Sequence, residues 1–327
     1  MNPLSVGLAY NIKRSKSGDE DAEYDSPETI DGIKKAIEAH GHKVMLWEAV
    51  PELVRTIDPK AVDIVFNFAE GKLGRNREAH VPALLEFLGV PFTGSDSATM
   101  MLTLDKALTK KIVRFAGVNT PNYKLIRNGS DKIGAGMDFP LMVKPNAEGS
   151  SKGITDDSVV LDAAGLWRQV HLITERYRQP ALVEEFLPGR EFTVGILGNG
   201  KALTYLPMME IEFLEKDVLN PTYNYRIKQD WKKYVKYHIP AQVEPALKAE
   251  IEDLCGKAFR HLMCRDVARI DVRLDAAGKP HLIEVNPLPG LSPGYSDLVF
   301  IAEAAGMTHV ELVGAILNKA LVRCSLA

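Results

Sequence analysis

Two short segments near the C-terminal end concentrate side chains that could do polar chemistry: Ala268-Arg269-Ile270-Asp271-Val272 and Leu282-Ile283-Glu284-Val285-Asn286-Pro287. Residues i and i+2 of a strand share one face. Arg269 and Asp271 therefore project together, as do Glu284 and Asn286, giving a set of oxygen ligands with a guanidinium beside them. Hard oxygen donors of this kind suit Mg²⁺, which takes one or two protein carboxylates plus nucleotide phosphate oxygens. The competing explanation is the wet face of an antiparallel hairpin. Asn286 and Pro287 end the second strand abruptly before Pro289-Gly290, which favours a site at its terminus.

A second group is Val143-Lys144-Pro145 followed by Glu148-Gly149-Ser150-Ser151-Lys152-Gly153. A strand that delivers a lysine into a Gly/Ser loop can fold backbone N–H groups around phosphates. The glycine spacing of a Walker loop is absent, and a purely structural turn is the rival. A third group, Leu182-Val183-Glu184-Glu185-Phe186-Leu187-Pro188-Gly189-Arg190-Glu191, sets carboxylates into an apolar strand beside a turn. It could pass beside a purine and its ribose, or be a hairpin with solvated acids.

The elements that would carry these groups are set by periodicity. Leu4 to Tyr10, Lys43 to Trp47 and Val62 to Phe68 read as strands. Between them Ser26-Pro27 opens a helix through Ile30, Ile33 and Ile37 that Gly41 stops. Val81, Leu84, Leu85 and Leu88 mark another helical face. This βαβ alternation predicts a parallel sheet with ligands at the carboxyl ends of its strands. From Asp105 the texture changes, with helices at 106–115, 161–177 and 243–262 and strands at 141–144, 181–186, 191–197 and 202–209. The stretch 210–238 has no period and reads as a long ordered loop. Strands at 267–274 and 280–286 and helices at about 297–305 and 308–322 complete the chain.

The 327 residues are 46% hydrophobic and 25% charged, which implies two or three packed subdomains. A net charge of -3 gives no electrostatic case for nucleic acid; the densest basic run, Arg226 to Lys236, suits a local phosphate site or a solvated face. Cys255, Cys264 and Cys324 have no metal-ligand spacing, and the first two read as buried packing. The N-terminus lacks the features of a signal peptide, no apolar run approaches the ~20 residues of a membrane span, and the cytoplasm is the expected location.

The three groups, in this order, resemble the ATP-grasp family and, within it, the D-alanine–D-alanine ligases. The likeness runs from about Asp63 to the C-terminus and also includes Pro91-Phe92-Thr93-Gly94-Ser95 and Leu104-Asp105-Lys106. It implies an α/β (α+β overall) fold: an N-terminal parallel βαβ domain (1–103) followed by two α+β subdomains (104–200 and 201–327) that sandwich ATP. Lys106 and Lys144 would contact nucleotide phosphates, with Ser150 and Ser151 closing over them. The backbone of Glu185, Phe186 and Leu187 would border adenine, with Glu184 nearby, and Glu191 would hold the ribose. Asp271, Glu284 and Asn286 would bind two Mg²⁺ (or Mn²⁺) ions. Arg269 and the Gly290 N–H would stabilise an oxyanion, and Lys228 would cover the γ-phosphate from a mobile loop.

The activity implied is ATP-dependent joining of a carboxylate to an amine through an acyl phosphate. The partners implied are small amino-acid-like substrates, with a homodimer allowed and neither nucleic acid nor membrane involved. On the amino-acid side the chain departs from the family. Ala9-Tyr10-Asn11 replaces a Gly-Gly turn, Glu23 (or Asp25) stands near a substrate-orienting glutamate, and Glu70 stands where a histidine belongs. Gln229 replaces a tyrosine, and either Ser292 or Ser296 would grip the second substrate. Another amino-acid pair or a natural-product precursor is therefore an alternative to D-alanine. A non-catalytic ATP-binding protein is the alternative of another class, against which the joint presence of Arg269, Asp271, Glu284 and Asn286 argues.

Overall fold

The computed structural model describes residues 2–15, 21–127, 131, 136–214, 222–223, 227–228 and 230–327. Strand β1 (Ser5–Tyr10) is buried on both faces, which is why its sequence is a continuous apolar run. Helix α1 (Pro27–Ala39) starts where the Ser26 side chain accepts from the Thr29 N–H, with proline in its first turn. It buries Ile30, Ile33 and Ile37 and gives way at Gly41, whose φ is +85°. β2 (Lys43–Glu48) and β3 (Ile64–Phe68) flank β1 in a parallel sheet of order β2-β1-β3. Helix α2 (His80–Leu88) covers it through Val81 and Leu85, which pack in one cluster with Trp47, Val65 and Phe92. Helix α3 (Ser97–Leu104), capped by Asp96, was not expected: its residues are nearly all apolar or small, so no polar face marks it.

Helix α4 (Lys106–Phe115) is capped by Asp105 and sets Lys106 and Lys110 one turn apart on its buried side. The strands β4 (Tyr123–Ile126), β5 (Leu141–Pro145), β6 (Val159–Val160) and β7 (Ala181–Glu185) form an antiparallel sheet of order β4-β7-β5-β6. Helix α5 (Ala163–Arg176) packs Leu166, Val170 and Ile173 on it.

The third sheet is antiparallel. It comprises β8 (Glu191–Asn199), β9 (Ala202–Tyr205), β10 (Met209–Phe213), β11 (Val235–His238), β12 (Arg265–Leu274) and β13 (Pro280–Asn286). Its order is β11-β10-β8-β12-β13, with β9 paired to β8. Helix α6 (Pro245–His261) lies on it, burying Cys255 among Phe192, Ile270 and Leu282; Cys264 is buried in the same cluster. Helices α7 (Asp297–Ala304) and α8 (His309–Arg323) place Leu298, Leu312 and Ile316 in one core with Ile33, Ile37 and Val267. The last helices thus fasten the first sheet to the third. Among the described residues no single helix is long and apolar enough to cross a membrane.

Two expectations need correction. The strand expected at 202–209 breaks at 206–208 into β9 and β10. The loop expected at 210–238 is a strand at both ends, β10 and β11 pairing as Glu210↔His238 and Phe213↔Val235. Alternation over only four residue pairs, separated by a long insertion, gave too short a period to detect. The chain changes sheet between β7 and β8.

One buried ion pair ties the three ends of this architecture together. Asp266 is fully buried at a positive φ of 66° and receives Arg323 Nη2 at 2.7 Å and Nε at 3.1 Å. It also accepts from the Gly94 N–H at 2.8 Å and from Asn199 at 2.9 Å. Replacing Arg323 with Ala leaves that carboxylate without its cation, so denaturant unfolding should show a loss of about 2–3 kcal/mol, the worth of a hydrogen-bonded charge.

Candidate active site

Strand β12 pairs with β8 on one edge and β13 on the other, and this register assembles the centre of the site. Arg269 stands opposite Asn286 and Asp271 opposite Glu284. Arg269 Nη2 lies 3.0 Å from Asp271 Oδ2 and 3.8 Å from Glu284 Oε1, and Nη1 lies 3.4 Å from Asp297 Oδ2. Asn286 Nδ2 donates to Asp271 at 3.2 Å, and Thr193 on β8 donates to the other Asp271 oxygen at 2.9 Å. Burial opposes ionisation of Glu284, yet Lys106, Lys144 and Arg269 hold its carboxyl down to about 2. Asp271, Glu284 and Asn286 thus offer side-chain oxygens from two adjacent strands, a donor chemistry that fits Mg²⁺.

Lysines occupy the neighbouring wall. Glu184 on β7 is clamped between Lys144 Nζ at 2.8 Å and Lys110 Nζ at 2.7 Å, all three side chains being buried. Lys110 also donates to Thr120 Oγ1 at 2.8 Å, and burial pushes its ammonium down to about 8 against the pull of Glu184. Lys106 Nζ reaches the Glu148 carbonyl and lies 3.5 Å from Glu284 Oε2. Past β5 the chain enters the Gly/Ser loop with Ser150 and Ser151 both at positive φ, 49° and 56°. Successive residues in this region are costly for non-glycine side chains and turn backbone N–H groups into an anion-binding concavity. Ser151 Oγ donates to the Tyr223 carbonyl at 3.1 Å. Across the cavity Glu191 pairs with Arg273 at 3.2 Å, and the Arg273 guanidinium lies 4.8 Å from the Phe186 ring centroid. The Glu185 carboxylate turns aside to accept from Asn122 at 3.0 Å.

The side of the site opposite the lysines is acidic. Glu23 accepts from Arg77 Nε at 2.9 Å, from Arg77 Nη2, and from the Gly149 N–H at 2.6 Å. Arg77 also donates to the Ala147 carbonyl at 2.8 Å, so this pair fastens residue 23 to the phosphate-type loop. Glu70 comes just after β3, and Glu78 sits in the short turn Arg77–Ala79. Burial raises the Glu70 carboxyl well above its ordinary range and pushes Glu78 and Asp25 up to about 7. Ser296 Oγ accepts from the Ser292 N–H at 2.9 Å, and Ser292 Oγ accepts from Thr29 at 3.0 Å. A Cβ on Gly290 would meet Ser296 Oγ at 2.7 Å, so only glycine lets this backbone come so close.

Two cavities share a wall that includes Lys106, Ser150, Lys228, Arg269 and Glu284. The first is lined by Lys144, Ser151, Glu184, Glu185, Phe186, Leu187, Glu191 and Asp271; the second by Glu23, Glu70, Asn286, Gly290, Ser292 and Ser296. Every residue singled out from the sequence as a site residue therefore reaches one of these two spaces. Gln229 lies outside the described residues. Lys110, Arg77, Glu78, Thr193 and Asp297 were missed. Lys110 carried a signal, four residues beyond Lys106 on one helical face, whereas the partners of the others come from distant segments.

Residues 105–318 match the family described as D-ala D-ala ligase C-terminus. The chain is 38% identical to the uncharacterized protein y4sG of Sinorhizobium fredii, over 89% of this chain and 86% of that one. It is 31% identical to a D-alanine–D-alanine ligase of Bordetella petrii, over 88% and 85% of the two chains. Among solved structures, D-alanine–D-alanine ligase from Bacillus anthracis complexed with ATP superposes with a TM-score of 0.78 at 22% identity, covering 99% of this chain and 100% of the other.

The Lys110–Glu184–Lys144 clamp is open to a direct test. Lys110→Met removes one of two cations from a buried carboxylate and should cost about 3–5 kcal/mol in denaturant unfolding. Adding Glu184→Gln should restore part of that loss, and a double mutant as unstable as the sum of the single ones would show that the pair does not interact.

Proposed function

The chain belongs to the D-alanine–D-alanine ligase family and is an ATP-dependent ligase of the ATP-grasp type; on that premise we propose that it joins two amino-acid-like substrates through an acyl phosphate. The observation that carries this reading is the meeting of the two cavities at Lys228, Arg269 and Glu284. One cavity has the lysines and backbone concavity suited to a nucleoside triphosphate, the other has room for the acid and the amine, and the shared wall is where they react.

In the first step a substrate carboxylate oxygen attacks the γ-phosphorus and ADP leaves. Lys144 and Lys106 neutralise phosphate charge, the Ser150–Ser151 backbone holds it, and Lys228 closes over it; positioning and neutralisation are most of what phosphoryl transfer requires. In the second step the amine attacks the acyl carbon, and phosphate and a proton leave. Arg269 and the Gly290 N–H face the oxyanion that develops. Asp271, Glu284 and Asn286 would hold Mg²⁺, which when bound neutralises the phosphate oxygens further. Glu191 would hold the ribose, and the backbone from Glu185 to Leu187 would border adenine. Cytoplasmic location belongs to the same reading, supported by the dependence on ATP.

The complete Arg269, Asp271, Glu284 and Asn286 set next to the second cavity favours turnover over nucleotide binding alone. Glu284→Gln should reduce Mg²⁺-dependent ADP release by about 100-fold or more, the scale of losing one electrostatic stabiliser, while the thermal midpoint changes little. Near-normal turnover by the folded variant would remove Glu284 from the metal site. For the substrates, D-alanine is the reference pair. Buried polar groups that lose their partners can cost up to about 10⁴-fold in specificity, so the departures at Ala9-Tyr10, Glu70 and Ser292 to Ser296 should move the preference away from it. Supplying D-alanine, then a panel of D- and L-amino acids, and measuring both ADP and dipeptide checks this; D-alanyl-D-alanine formation unmatched by any other pair would show those departures to be neutral.

A further inference from the structure

The second cavity holds more carboxyl groups than the reaction uses. Glu23 is already neutralised, since both its oxygens accept from Arg77 and one also from Gly149. Glu70 and Glu78 have no hydrogen-bond or ion-pair partner among the described residues. Glu78 is only 9% exposed, and both carboxylates line the cavity. One carboxylate oxygen from each of Glu23, Glu70 and Glu78 lies within 4.8 Å of the others. For oxygens so spaced some point lies within 4.8/√3, about 2.8 Å, of all three, which is the length of an N⁺–H···O⁻ hydrogen bond. Asp297 also lines the cavity but is paired, its Oδ2 lying 3.4 Å from Arg269 Nη1.

A buried carboxylate without a partner is costly, and several side by side more so. Such carboxyls either stay protonated or ionise beside cations that a ligand supplies. The ammonium of an alanine can meet one of Glu70 and Glu78, and its methyl group offers nothing to the other. We propose that Glu70 and Glu78 form a cation subsite for a side-chain amine, so that one of the two amino-acid substrates is a diamino acid. Glu23 is then a positioning residue, held by Arg77 to fix the Gly149–Ser151 loop. The raised Glu78 carboxyl fits this assignment, because burial disfavours its charge until a cation arrives. The inference rests on the ligase reading for turnover of the bound amino acid, and on the cavity alone for binding itself.

The test is titration calorimetry of the full-length enzyme with Mg²⁺ and ADP, comparing 2,3-diaminopropionate and 2,4-diaminobutyrate of both hands with alanine. A diamino acid should bind at least about tenfold more tightly than alanine, the worth of one charge-assisted hydrogen bond. Glu78→Gln and, separately, Glu70→Gln should each remove most of that ratio while ATP affinity and thermal midpoint hold. Equal affinities for alanine and the diamino acids in the unaltered enzyme would overturn the proposal, as would a ratio unchanged in both folded variants. Mn²⁺ retained without any amino acid, and lost in Glu78→Gln, would make the cluster a metal site and also overturn it. Because binding is read without turnover, a preserved affinity ratio with no ligation of any pair would sustain the subsite and strike the ligase reading alone.

Discussion

The register of β12 is the constraint on which the site depends. This strand is hydrogen-bonded to β8 from Arg265 to Arg273 and to β13 from Arg269 to Leu274. Side chains alternate along it, so Ala268, Ile270 and Val272 fill the core under α6 while Arg269 and Asp271 face the cavities. A slip of one residue would exchange the two sets, burying a guanidinium in an apolar cluster. The core thereby fixes the chemistry: the hydrophobic face holds the polar face in place. The irregularity in pairing between Asp271 and Val272 falls beside Asp271, at a position where bulges re-aim side chains.

Around this strand the charges are arranged in opposed pairs rather than pooled. Lys110 and Lys144 share Glu184, Arg77 engages Glu23, Arg273 engages Glu191, and Arg269 lies among Asp271, Glu284 and Asp297. Each group is held before any ligand arrives, and such preorganisation lets electrostatics act without reorganisation during the reaction. The pairs also join elements distant in sequence. Arg77 and Glu23 belong to the N-terminal unit, yet they bond to Ala147 and Gly149 of the loop after β5. The position of the phosphate-type loop is therefore set partly by a domain that contributes no lysine to it.

Local periodicity made the strands β1, β3, β5, β7, β12 and β13 and the helices α1, α4, α5 and α6 legible, because each has either a continuous apolar run or one buried stripe. The i, i+2 argument placed Arg269 with Asp271 and Glu284 with Asn286, and the pairing of β12 with β13 brought all four together. Helix α3 escaped because its apolar residues form no stripe, and β10 with β11 because their pairing spans an intervening segment. Arg77 and Glu78 escaped for a different reason. In a loop of mixed charge nothing distinguishes a solvated residue from a buried one until its partner is known, and Glu23 lies 54 positions away from Arg77.

The Gly/Ser loop and the arginine between the cavities are physically linked. Ser151 holds the Tyr223 carbonyl, the Tyr223 hydroxyl bonds that of Tyr237, and Tyr237 stacks on Trp231 at 4.8 Å. Trp231 and Tyr237 both pack against Phe300 in α7, the helix that begins with Asp297. Asp297 in turn contacts Arg269. A chain of contacts thus runs from the phosphate-type loop, through the segment that bears Lys228, to the guanidinium at the junction of the cavities. The aromatic contacts hold α7 against this segment, and α7 sets Asp297 beside Arg269. The contacts that hold Tyr223 and Trp231 are thus continuous with those that orient the guanidinium between the two cavities.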